Sequence, residues 1–158
     1  MKDIFTPQFK VEDLYISPFK TERHFHPDTG KVVYVPIERN LTPTGVHLFD
    51  HFLQIICLSR KFSYRNISSK LGVPMRDFTG MTYVLTGMSM EEIYLALRMR
   101  LADDLLRYTE LSLVEISERC GFGTVQGMYK MFQKAYKTTP TLRQIGLRNK
   151  GDAGRYGV

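Results

Sequence analysis

Histidine and cysteine are the first residue types to weigh for chemistry. His24 and His26 alternate along one segment, His47 and His51 stand four apart, and Cys57 follows further along the same stretch. A four-residue step on a helix brings two imidazoles to one face, as a metal pair requires. No paired cysteine–histidine motif accompanies them, so they read as surface or packing residues and no metal is expected. Cys120 has no neighbouring base in sequence to take its proton and reads as the filler of a small buried space. There is no glycine-rich phosphate loop, and neither catalytic residues nor a cofactor are assigned. What remains is positive charge. The chain of 158 residues carries a net +6, divided along its length as −1 over 1–58, +4 over 59–90, −4 over 91–118 and +7 over 119–158. Two basic blocks separated by an acidic one suit a polyanion touched at two places.

Those cations must be positioned by helices. Residues 1–45 hold five of the seven prolines, Pro7, Pro18, Pro27, Pro36 and Pro43, so little helix is expected there. Within that span Glu22 to Glu38 reads as a β-hairpin, with Phe25 and Val32 to Val35 favouring strand and Pro27-Asp28-Thr29-Gly30 supplying the turn. From residue 46 apolar residues recur at helical steps: Val46, Phe49, Leu53 and Ile56 predict a buried first helix to about Leu58. Ser63 caps a short helix over 64–71 ended by Gly72, and a longer one follows over 75–86, ended by Gly87. Ser89 with Glu92, and Ser112 with Glu115, are capping-box pairs that open helices over about 89–108 and from 112 to Gly121. A helix over 125–136 and a last short one opened by Thr139-Pro140 complete the series.

Part of this series is a repeat. Ser63, Ile67, Ser68 and Gly72 recur 49 residues later as Ser112, Ile116, Ser117 and Gly121, and Phe78 and Met81 match Met128 and Met131 at a spacing of 50. Each copy is a short helix, a glycine-containing turn and a longer helix, the helix-turn-helix arrangement. The expected fold is therefore mainly α: two helix-turn-helix subdomains joined by a linker helix, with a short N-terminal β-hairpin extension. The expected organisation is an extension over 1–45 with the hairpin at 22–38, and a tandem helix-turn-helix unit over 46–148. The copies span about 60–87 and 110–145, the linker helix 89–108, and a flexible tail 149–158. The linker holds most of the acidic block and is expected to face solvent.

The second copy, Ser112-Leu113-Val114-Glu115-Ile116-Ser117 followed by Gly121-Phe122, Phe132, Lys134 and Thr139-Pro140, resembles the signature of the AraC-type (arabinose-operon regulator) family of bacterial transcription factors. The family's linker pattern stands here as Arg98-Met99, Ala102, Leu105-Leu106 and Thr109, and the first copy matches at Ile67-Ser68 and Thr86 to Ser89. The resemblance covers about residues 46–145. It implies that the longer helix of each copy enters a DNA major groove, the two grooves lying one helical turn apart on one face. Carried onto this chain, it puts base reading on Arg76 and Thr79 in the first copy and on Val125, Gln126 and Lys130 in the second. Gln126 is suited to the two-point pairing with adenine, and Arg65, Ser112, Lys134, Lys137 and Arg143 would hold phosphates. Gly80 stands where the family carries a long polar side chain and Thr82 where it prefers an aromatic, which leaves sequence reading mostly to the second copy.

The expected partner is double-stranded DNA, bound by a cytoplasmic transcriptional regulator without a large effector domain. The longest apolar stretch, Phe52 to Leu58, is interrupted by Gln54 and is far shorter than the roughly 18 residues of a membrane span, so no membrane partner is expected. RNA polymerase or a co-regulator, and a second copy of the chain through the hairpin, are the further partners this reading leaves open. The alternative is a helix-turn-helix protein-interaction module or co-regulator with degenerate DNA reading. Basicity of the second copy argues against it.

Overall fold

The fold begins with elements that the proline-rich composition conceals. This computed structural model describes residues 7–19, 21–25, 27–36, 42–58 and 61–155, with the strands known by their backbone pairing. A single-turn helix α1 (Val11–Leu14) precedes β1 (Thr21–Phe25) and β2 (Val32–Pro36). The strands run antiparallel with Glu22 opposite Val35 and His24 opposite Val33. Glu38 and His26 lie outside the described residues, as do residue 60 and residues 156–158. The rest is helical: α2 (His47–Leu58), α3 (Tyr64–Leu71), α4 (Met75–Thr86), α5 (Met90–Tyr108), α6 (Leu113–Arg119), α7 (Val125–Tyr136) and α8 (Pro140–Leu147).

Helix ends follow local chemistry. The Ser63, Ser89, Ser112, Thr124 and Thr139 hydroxyls each accept a backbone N–H in the first turn of the helix they precede. Glu92 and Glu115 complete the box by accepting the amides of Ser89 and Ser112, both at 2.8 Å. α3 and α4 close on Gly72 and Gly87, at φ +67° and +70°, a left-handed geometry that disfavours a Cβ. At the corresponding end of α7 the chain carries Lys137 at φ +56°, the one non-glycine positive φ among the described residues.

Two cores lie along α5. Phe49, Phe52, Leu53 and Ile56 of α2, Ile67 of α3 and Phe78 of α4 enclose the first with Met90, Ile93 and Leu97 of α5. Met99, Ala102, Leu105 and Leu106 of α5 join Ile116, Cys120, Met128 and Phe132 in the second. One helix thus serves both cores in succession, which is why it is buried on more than one side. Phe78 packs edge-on against Phe52 with ring centroids 5.0 Å apart. Because α2 supplies these rings, buried Thr82 can stand where an aromatic was expected, its hydroxyl donating to the Phe78 carbonyl at 3.0 Å.

Three expectations are corrected. Residues 7–19, where little helix was expected, form the single turn α1 and join the domain: Leu14 is fully buried in the first core, and the Phe9 amide donates to the Leu85 carbonyl at 3.1 Å. The tail is docked through residue 155. Asp152 is 2% exposed and accepts from Arg107 at 2.9 Å and from Arg155 at 3.0 Å. Burial alone would raise the Asp152 pKa, but the Asn149 amide and the Arg107 guanidinium outweigh it and hold the carboxyl below its ordinary value. Finally, the acidic linker does not simply face solvent. Glu91 and Glu92 do, whereas Asp103 and Asp104 bond inward to Tyr136, Arg143, Tyr15 and Ser17.

Candidate nucleic-acid interface

The two longer helices of the repeat, α4 and α7, expose matching faces. Arg76, Thr79, Gly80, Tyr83 and Val84 are exposed on α4, and the residues 50 positions later, Gln126, Tyr129, Lys130, Gln133 and Lys134, are exposed on α7. Steps of three, one, three and one make each set a continuous helical stripe. The opposite stripes, Phe78 with Thr82 and Met128 with Phe132, are buried at the same offset. The α7 face offers two amides, two ammonium groups and a phenol. The α4 face offers one guanidinium, a threonine and, at its far end, Tyr83 and the apolar Val84, 58% and 63% exposed.

Set against this geometry, the residues assigned from sequence divide. Arg76, Gln126, Lys130 and Lys134 lie on the stripes, and Arg65 and Lys137 are exposed on α3 and at the end of α7. Thr79 is exposed, yet its hydroxyl donates back to the Met75 carbonyl at 2.7 Å, which removes its one donor from base reading. Val125 is half-buried beside the stripe. Ser112 is occupied: its hydroxyl and amide both meet the Glu115 carboxylate, at 3.0 and 2.8 Å, a negative group where a phosphate would come. Hydrogen bonds from the Ser112 amide and hydroxyl hold the Glu115 carboxyl below its ordinary value.

Arg143 is the most committed of these residues. Its Nε and one terminal nitrogen donate to the two oxygens of Asp103 at 3.0 and 2.8 Å. The guanidinium lies 3.7 Å from the Tyr136 ring centroid, and the Tyr136 hydroxyl donates to the same carboxylate at 2.9 Å. Burial, with Asp103 adding to it, pushes the Tyr136 phenol up to about 12. The bidentate fork joins α8 to α5 and steadies the end of α7, so Arg143 serves as a tie within the second subdomain. Its charge had counted toward the second basic block because Asp103, 40 residues earlier, gave no local sign of pairing with it.

Gln133 was missed as a member of the α7 stripe, which Tyr129, 38% exposed, also joins; the exposed series from Gln126 at steps of three, one and three is the signal that finds it. Cys120 fills the second core as expected, and burial pushes its thiol up to about 12, leaving it protonated at neutral pH. His47 and His51 stand exposed on α2.

The two glycines of these faces differ in kind. A Cβ at Gly80 would meet nothing within 4 Å, whereas one at Gly127 would lie 2.8 Å from the Phe122 carbonyl oxygen. Gly127 lets α7 approach the turn before it, and a fixed backbone oxygen cannot step aside. Gly80→Ala is therefore expected to raise stability by about 1 kcal/mol through helix propensity. Gly127→Ala is expected to lower it by roughly 1–3 kcal/mol through overpacking. Urea melts of the two variants check this; equal shifts of one sign would refute it.

Paired short and long helices, repeated around one connecting helix and exposing equivalent stripes, define a tandem helix-turn-helix domain. A family model described as a helix-turn-helix domain matches residues 67–142. The HTH-type transcriptional activator RhaS of Citrobacter koseri is 27% identical over 93 residues, 59% of this chain and 31% of that protein, so the chain spans less than a third of that relative. The C-terminal domain of the two-component response regulator yesN from Fusobacterium nucleatum superposes with a TM-score of 0.57 at 29% identity, over 62% of this chain and 98% of that one. The DNA-binding domain of AdpA, solved in complex with a target DNA, superposes with a TM-score of 0.57 over 63% of this chain and 90% of that one, a likeness of fold at 19% identity. Over residues 67–142, just under half of its length, the chain is thus similar to the AraC-type helix-turn-helix domains of transcription regulators. No helix among the described residues is long and apolar enough to cross a membrane.

Proposed function

We propose that this chain binds double-stranded DNA as a sequence-specific transcription regulator, with α7 reading bases and α4 chiefly docking on the backbone. The observation that carries the reading is the α7 stripe, where Gln126, Tyr129, Lys130, Gln133 and Lys134 are all exposed on one face of a helix of groove-fitting size. Lys137 supports it. A left-handed non-glycine residue costs roughly 1–2 kcal/mol, and the first copy has Gly87 at the equivalent place, so a cation is kept where glycine would be more stable. The AdpA domain in complex with its target DNA supports it as a relative of the same fold.

The test is a titration of duplex DNA across salt concentration. With Arg65, Arg76, Lys130, Lys134 and Lys137 each neutralising one phosphate, the log-log slope is expected to be about −4.5. Gln126→Ala should cost roughly 1–3 kcal/mol of binding and relax the preference at one base position. Thr79→Ala should leave sequence preference unchanged, since its donor is committed to Met75. A folded protein that does not bind duplex DNA at low salt would refute the reading. That result would favour a protein partner, for which the exposed Tyr83 and Val84 of α4 are the docking residues.

A further inference from the structure

We propose that residues 7–19 form a strap that sets the angle between the two helix-turn-helix units, with Asp104 as its positioning residue; the inference rests on the DNA-binding reading. The strap runs alongside α5 in the same direction. Glu12 pairs with Arg100, the Tyr15 and Ser17 hydroxyls both donate to Asp104 Oδ2 at 2.7 Å, and the Phe19 ring lies 5.9 Å from that of Tyr108. Arg100, Asp104 and Tyr108 are spaced by four, so one stripe of α5 receives three successive points of the strap.

Its two ends belong to different units. At one end Leu14 is buried in the first core and the Phe9 amide bonds the last turn of α4. At the other, Phe19 packs on the second core. Pro7 and Phe9 also line an open groove of about 770 Å³ together with Lys134 and Tyr136, at the end of α7. A single helix bends, and α5 alone would let the α4 and α7 faces swing about the joint between its two core segments. A second chain segment bonded along it resists that bending. The half-buried Asp104 carboxylate, holding two hydroxyl donors, is the middle fastening.

Rigidity of this kind has a signature distinct from affinity. One base pair inserted between two half-sites displaces the second by about 3.4 Å and rotates it by about 35°, which a stiff pair of reading helices cannot follow. The experiment selects duplexes bound by the full chain from a random pool, then measures affinity for the selected site and for versions lengthened or shortened by one base pair. Wild type should lose about tenfold or more on each altered spacing, whereas a Tyr15→Phe, Ser17→Ala variant should lose less than about threefold. If that variant does not fold, Ser17→Ala alone removes one of the two donors and should give an intermediate penalty. A variant that is folded and keeps the full spacing penalty, whatever its affinity or melting point, overturns the strap. Wild type that binds no duplex overturns the DNA reading itself, and one that binds without any spacing penalty overturns the strap alone.

Discussion

Arg143→Ala is expected to lower folding stability by about 2–4 kcal/mol while leaving the salt slope of DNA binding unchanged. Removing one partner of a buried ion pair strands the other, and the usual cost of about 3–5 kcal/mol is discounted here because the Arg143 side chain is 28% exposed. The stranded group is Asp103, whose side chain is 11% exposed and would keep only the Tyr136 hydroxyl. Arg143→Lys should recover less than half of the loss, since a point charge cannot occupy both carboxylate oxygens. Urea melts give the stability, and DNA titrations under native conditions at several salt concentrations give the slope. A stability change below about 0.5 kcal/mol with a slope shallower by about 1 would return Arg143 to the phosphate contacts.

Leu14→Ala is expected to cost about 2–5 kcal/mol, the range for emptying a fully buried leucine site. Leu14 is 0% exposed within a core of Phe49, Phe52 and Phe78, rings too large to collapse readily into the space. The urea midpoint should fall with little change in slope, because the folded state keeps its extent while losing its packing. The exposed Leu142, by contrast, should tolerate alanine within about 0.5 kcal/mol. A neutral Leu14→Ala would mean that residues 7–19 rest on the domain without belonging to it.

Most of the helical series was legible in the sequence because its signals are local. A cap serine and the amide it accepts are three residues apart, as at Ser63 and Asn66 or Ser112 and Glu115. Gly72 and Gly87 mark their helix ends by backbone preference alone. The repeat was visible for a related reason: each copy must bury one face of a short and a long helix, so Ile67 with Phe78, and Ile116 with Met128, recur at nearly constant spacing. Those regularities, with two basic blocks, carried the argument to a tandem helix-turn-helix and its family.

Tertiary structure alone decided which charges stay available and which segments belong to the fold. Asp103 and Arg143 are 40 residues apart, Tyr15 and Asp104 are 89 apart, and Arg107 and Asp152 are 45 apart. No sequence period links such pairs, so each charge looked like part of a solvated block until the folded chain brought its partner within about 3 Å. Leu14 was illegible for the same reason, as an apolar residue in a proline-rich stretch whose buried partners begin 35 positions later at Phe49. Helix periodicity reports the face that a helix buries against its neighbours. It carries no information about a non-periodic segment that a completed surface receives, nor about a salt bridge whose two halves meet only once both helices are in place.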